Sequence, residues 1–231
     1  MNREKAPAMI DRDTRKLHTP PIQDPPPVLR GFEHVTRYWD RYTRQFAAKI
    51  LPGEYYVTQH GELIVTVLGS CISACIRCKA TGFGGMNHFM LPENRNDRQD
   101  LYSGQGVNAA TRYGNFAMEH MINDLLKLGV ERRNLEVKIV GGGRILKNMT
   151  DIGRRNIEFV REYIRTEQLP LAGEDVGDIH PRKVYYDPEN GRVRVKKLRA
   201  LRNDTIFERE ARYRHELQIR PIAGEVELFS S

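Results

Sequence analysis

The chain has 231 residues, enough for one sizeable domain with tails or for two small ones. No run approaches the roughly 18 consecutive apolar residues of a membrane-spanning helix, and the N-terminal MNREKAPAMIDRD lacks the apolar stretch of a secretory signal, so a cytosolic, soluble protein is expected. The formal charge of +7 brings nucleic-acid binding into consideration, but the basic residues are divided between Arg12, Arg15 and Lys16 and a distant run, Arg192 to Arg199.

Residues 1–31 read as a tail, because TPPIQDPPP (19–27) favours polyproline geometry and offers little to bury. Val35, Trp39, Tyr42, Phe46 and Ile50 recur at helical spacing, which predicts a helical lead-in over 32–50, ended by Pro52-Gly53. Glu54–Thr58 and Leu63–Leu68 read as strands. Cys71–Cys78 continues as a strand and Gly84–Leu91 forms another, with a turn at 79–82. After a polar, loop-like stretch (94–106), Phe116, Met118, Met121, Ile122, Leu125 and Leu128 mark a helix over 109–128, and Gly129 caps its end. Leu135–Val140 is a buried-looking strand running into Gly141-Gly142-Gly143. Asp151 is placed to cap a second helix carrying Ile157, Val160 and Ile164. Lys183–Tyr186 and Arg192–Leu198 form a hairpin about Asn190-Gly191, with Arg192, Arg194 and Lys196 on one solvated face. The chain closes with a charged helix from Asn203 to about Leu217 and the short tail GEVELFSS, a C-terminal segment of 202–231.

All three cysteines lie in GSCISACIRC (69–78), with the spacing C-x3-C-x2-C. Their odd number and closeness argue for free thiols in a reducing compartment. The spacing matches that of radical iron–sulfur enzymes, but cluster ligation needs thiolates converging on one point. Ile72, Ala74 and Ile76 alternate as in a strand, which puts Cys71 and Cys75 on one face and Cys78 on the other. Zinc held by these cysteines and His88 meets the same objection.

A nucleophile needs only one cysteine, a base and donors for an oxyanion. Cys71 follows Gly69-Ser70 at the end of an apolar strand, where a bend turns backbone N–H groups toward a developing charge. A turn centred between Ala80 and Thr81 sets Cys71 opposite Met90 and Ser73 opposite His88. Cys71 and His88 are then diagonal neighbours on one face, about 7–8 Å apart, and a one-residue slip would separate them. A satisfied core histidine is the plainer account of His88 alone. Thr66, in the strand feeding the bend, can accept from the imidazole and fix its tautomer, or simply be a β-branched strand residue. Gly69, Ser70 and Asn87 are assigned to oxyanion or substrate contact.

VTVLGSCISAC (65–75) followed by GFGGMNHFMLP (82–92) resembles the chemoreceptor glutamine deamidases, the CheD family. The resemblance continues in VGGGRILKNMTDIGRRNIEFVREYI (140–164) and VYYDPENGRVRVKKL (184–198), and marks 51–201 as the deamidase domain. It implies an α/β (α+β) sandwich of mixed, largely antiparallel sheet layers with two main helices, similar to the deamidating domain of certain bacterial toxins. It also implies a catalytic group of Cys71, His88 and Thr66, no metal or cofactor, and conversion of receptor glutamines to glutamates with release of ammonia. The implied partners are the cytoplasmic helices of chemoreceptors and a CheC-type phosphatase. A non-catalytic adaptor and a cysteine hydrolase acting on receptor methyl esters stand as the alternatives.

Overall fold

A computed structural model describes residues 24–92, 109–145, 152–199 and 204–219. Ten strands form two five-stranded sheets. The first has the order β1 (Thr36–Asp40), β2 (Gln45–Lys49), β4 (Leu63–Leu68), β9 (Arg182–Asp187) and β10 (Arg192–Lys197). The second runs β3 (Tyr55–Thr58), β6 (Gly84–Asn87), β5 (Ile72–Cys78), β7 (Leu135–Gly141) and β8 (Leu171–Val176). Only β2 with β4 and β7 with β8 pair in parallel. Helices α1 (Ala109–Lys127) and α2 (Ile152–Thr166) pack on the second sheet, and α3 (Asp204–Ile219) follows the last strand. The protein is therefore a mixed α/β structure with two open sheets and three helices among the described residues.

Strand alternation organises the core. On β4, Ile64 and Leu68 enter the main apolar cluster, whereas Leu63 and Val65 join a small separate one with Ala47. Thr66, two residues from each of Ile64 and Leu68, shares their face. Across the main cluster lie Ile72, Ile76 and Val137 of the second sheet, and beyond them Met118, Met121, Ile157 and Val160 of the helices. The pairing of β5 with β6 follows the register expected from the turn: Cys75 faces Met86, Ile76 faces Gly85, and Ile72 bridges Phe89.

Residues 32–50 correct the helical expectation. They form the β1–β2 hairpin, in which Trp39 sits across from Phe46 with ring centroids 5.2 Å apart. The i, i+7 spacing of these two aromatics suits a cross-strand pair as well as a helix face. The turn carries neither glycine nor proline. It is closed by Asp40, whose Oδ1 accepts from the N–H groups of Tyr42 and Thr43. Strand β8 was not expected either, because LAGEDV is polar, lies at a sheet edge and shows no apolar alternation. Asp151, expected to cap α2, lies outside the described residues. The residues Arg192, Arg194 and Lys196 do share one exposed face of the edge strand β10.

A buried polar cluster ties the hairpin to the second sheet. Glu62 is 1% exposed and accepts from Arg37 Nε at 2.7 Å, Tyr56 Oη at 2.8 Å and Thr58 Oγ1 at 3.0 Å. Glu62→Leu strands a guanidinium and two hydroxyls, so the unfolding free energy is expected to fall by about 3 kcal/mol. A lower urea midpoint with an unchanged slope checks this.

Candidate active site

The bend at Gly69-Ser70 connects β4 to β5, and its backbone carbonyls are all engaged on one side. Gly143 N–H donates to Gly69 O at 2.9 Å, Asn156 Nδ2 to Ser70 O at 2.9 Å, and Gly142 N–H to Cys71 O at 2.7 Å. Asn156 is fully buried, and its Oδ1 accepts from Leu91 N–H at 2.9 Å, so its amide is held at both ends. With the carbonyls tied down, the N–H groups of Gly69, Ser70 and Cys71 converge on the opposite side. This is a backbone nest, suited to an anion.

The glycines around the bend serve close approach. Gly141 and Gly142 have φ of +120° and +64°, in the left-handed region that favours glycine. A Cβ on Gly143 would lie 2.8 Å from Gly69 O. At Gly69 φ is not positive, so the bend itself makes no special demand for glycine there. Its missing Cβ instead leaves room for the group held in the nest, for a Cβ there would lie 2.8 Å from both oxygens of Glu210.

That group is the side-chain carboxylate of Glu210, from the middle of α3. Its Oε1 accepts from Gly69 N–H at 2.8 Å and Cys71 N–H at 3.2 Å, and its Oε2 from Ser70 N–H at 2.9 Å and Ser70 Oγ at 2.7 Å. The sequence reading assigned Gly69 and Ser70 to oxyanion contact, and both are in this nest. It missed Gly142, Gly143, Asn156 and Glu210. Three successive glycines directly after a buried strand were the available signal for the first two.

Thr66, Cys71 and His88 meet between the sheets. Thr66 Oγ1 donates its single hydrogen to Ile50 O at 2.9 Å. Its 2.8 Å bond to His88 Nδ1 must therefore be donated by the ring. This hydrogen-bond network assigns the Nδ1–H tautomer and leaves Nε2 as an unprotonated acceptor. Nε2 is buried and has no hydrogen-bond partner among the described residues. Cys71 Sγ, a ring nitrogen of His88 and a Glu210 oxygen lie within 4.8 Å of one another. Since Thr66 occupies Nδ1, the nitrogen open to the thiol is Nε2.

Asn87 corrects the expectation of substrate contact. Its Oδ1 accepts from Ala74 N–H at 2.8 Å, and its Nδ2 donates to Ala117 O at 3.0 Å, so it joins the second sheet to α1. Cys75 and Cys78 are buried on β5 and take no part in the group around His88.

The site is closed. Cys71 is 0% exposed and His88 1%. Burial, followed by the charge of Glu210, pushes the Cys71 thiol well above its usual range. Burial, followed by the positive charge of Arg209, lowers His88 to about 3. In this state the pair is a neutral thiol beside a neutral imidazole. The His88 shift sets a pH dependence. An unfolded histidine takes up its proton near 6.5, whereas the folded one resists down to about 3. The resulting stability is complete above the unfolded value and is lost as pH falls toward the folded one. Denaturant titrations from pH 7 to 4 are expected to give a shallower decline for His88→Gln than for wild type.

Cys, His and Glu are also a zinc-type donor set. A carboxylate offers about four acceptor sites, and four hydrogen bonds already fill those of Glu210. The arrangement is that of an anion in a nest. His88 and Thr66 also border a cavity of about 600 Å³ that Lys49, Lys183 and Arg209 help to line.

Comparison with known proteins bears on this geometry. A family model described as CheD, chemotactic sensory transduction, matches residues 90–197, beginning just beyond His88. A protein of Halorhodospira halophila is 55% identical over 204 residues, covering 88% of this chain and 94% of the relative. One from Hahella chejuensis is 52% identical over 208 residues, covering 90% and 96%. One from Janthinobacterium sp. is 53% identical over 195 residues, covering 84% and 94%. Each is named a probable chemoreceptor glutamine deamidase, CheD.

Proposed function

The chain belongs to the CheD family, and from that premise we propose that it deamidates selected glutamines of chemoreceptors through a thioester on Cys71. The observation that carries the chemistry is the hydrogen bond from His88 to Thr66, which leaves Nε2 free to take the Cys71 proton. The thiolate attacks the side-chain carboxamide carbon. The N–H groups of Gly69, Ser70 and Cys71 hold the tetrahedral oxyanion. His88 returns its proton to the departing ammonia. Water then hydrolyses the thioester, so amide and water become carboxylate and ammonium, the ammonia taking up the proton the acid releases, and the thiol is restored. This sequence uses no metal or cofactor.

The substrates are glutamines on the cytoplasmic helices of receptors, and the protein works in the cytoplasm. A CheC-type phosphatase is a further partner on this reading. The two sheets enclosing a cysteine–histidine pair support a likeness to the deamidating toxin domain. Each conversion adds a negative charge to a helix face and alters repulsion with its neighbours. The test is incubation with a receptor cytoplasmic fragment and peptide mapping by mass spectrometry. Conversion of glutamine to glutamate with ammonia release is expected. Methanol release from a methylated fragment, without loss of amides, would indicate an esterase instead.

A further inference from the structure

Glu210 is out of place by the ordinary rules of burial. The inward face of α3 carries Ile206, Glu210, Tyr213 and Leu217, at the i, i+4, i+7, i+11 positions of one helical stripe. Tyr213 is 8% exposed and its hydroxyl bonds that of Tyr113, while Leu217 packs against the main core. A carboxylate in the middle of such a stripe needs a compensating site. It finds one in the three N–H groups and the Ser70 hydroxyl beside the proposed nucleophile.

A glutamate side chain on a helix, seated in the nest next to a thiol and an imidazole, has the chemistry of a deamidation product. Cys71 is 0% exposed and Glu210 lies against it, so a carboxamide reaches the sulfur only when this helix moves. We propose that α3 occupies the substrate groove as an internal product mimic, with Glu210 standing where the converted residue of a receptor helix lies. The proposal rests on the deamidase reading above and adds to it a docking surface, a substrate form and a means of control. The groove under α3 takes a helix in the helix-in-groove manner. Its substrate is a helical glutamine flanked by apolar residues at −4, +3 and +7, the offsets of Ile206, Tyr213 and Leu217 from Glu210. Receptor helix and α3 compete for one site, so docking of the receptor must displace α3. Displacement also opens the pair to water and removes Glu210 from the thiol and Arg209 from the imidazole; burial first, and these charges second, favour the neutral pair.

The mimic predicts a self-reaction. In the full chain carrying Glu210→Gln, α3 presents a carboxamide to Cys71. The thiolate forms the thioester, ammonia leaves, and water releases a glutamate at residue 210. Peptide mapping is expected to find glutamate at 210 in this variant and glutamine when Cys71→Ala is added, at a rate independent of protein concentration. A second measurement uses Glu210→Ala. Removing the charge-assisted bonds of α3 is expected to speed iodoacetamide labelling of Cys71 roughly tenfold or more. It is also expected to lower KM for the receptor fragment. An amide at 210 that survives in a chain able to convert the receptor fragment overturns the proposal and leaves the deamidase reading standing. Labelling of Cys71 no faster in Glu210→Ala than in wild type overturns it as well. Faster labelling with no receptor conversion by any variant supports the docked helix and removes the receptor reading instead.

Discussion

Replacing Cys71 by alanine is expected to abolish glutamine conversion, a loss on the order of 10⁴-fold or more, while the protein stays folded. The thiol sits beside the nest, within 4.8 Å of a ring nitrogen of His88 and of a Glu210 oxygen. Neither of the other cysteines can substitute. Cys75 and Cys78 are buried in β5, the central strand of the second sheet, and lie outside the group formed by Cys71, His88 and Glu210. Removing one sulfur from a packed position costs about 1 kcal/mol, so the variant should melt near wild type and still bind the receptor fragment. Time courses of ammonia release, read beside a thermal melt, separate a lost nucleophile from a lost fold. Residual conversion at the wild-type rate would remove Cys71 from the mechanism.

Thr66→Val should lower kcat/KM by roughly 10²- to 10³-fold, on the precedent that a mis-set histidine tautomer costs about 10⁴ in a serine protease triad. Valine has nearly the shape of threonine, but it neither accepts from His88 Nδ1–H nor donates to Ile50 O. The ring proton is then free to move to Nε2, the nitrogen that must stay open for the thiol. Thr66→Ser keeps the hydroxyl and should restore most of the activity. The nitrogen NMR signals of His88 give a readout that packing alone would not move. Protonated Nδ1 is expected in wild type and in Thr66→Ser, with a mixture in Thr66→Val. A single Nδ1–H form in the valine variant would reduce Thr66 to a packing residue.

Both experiments concern residues that were legible before any coordinates. The turn at 79–82 determined the β5–β6 register, and with it the shared face of Cys71 and His88. That register is found in Cys75 opposite Met86 and Ile76 opposite Gly85. Period-two alternation on β4 turns Thr66, with Ile64 and Leu68, toward the core between the sheets, whereas Val65 turns to the outer cluster. Where the sequence misled, a competing pattern was equally permitted. The aromatic spacing of 32–50 suits a hairpin or a helix, and the Asp40 turn carries no glycine to decide between them. Asn87 was assigned to oxyanion or substrate contact, but it and His88 are neighbours on a strand and point to opposite faces, and its amide serves α1.

The sequence by itself determined the family, singled out Cys71 and His88, and determined the strand pairing that joins them. These depend on residues close in the chain, where turn length and alternation leave few geometries. Only the tertiary structure decided what surrounds that pair. The carbonyls of the bend are held by Gly142, Gly143 and Asn156, and the tautomer of His88 depends on the carbonyl of Ile50. The anion in the nest comes from a residue 141 positions away from Gly69. Such contacts join distant segments through single hydrogen bonds, and no local period in the sequence encodes which segments the packing of two sheets brings together.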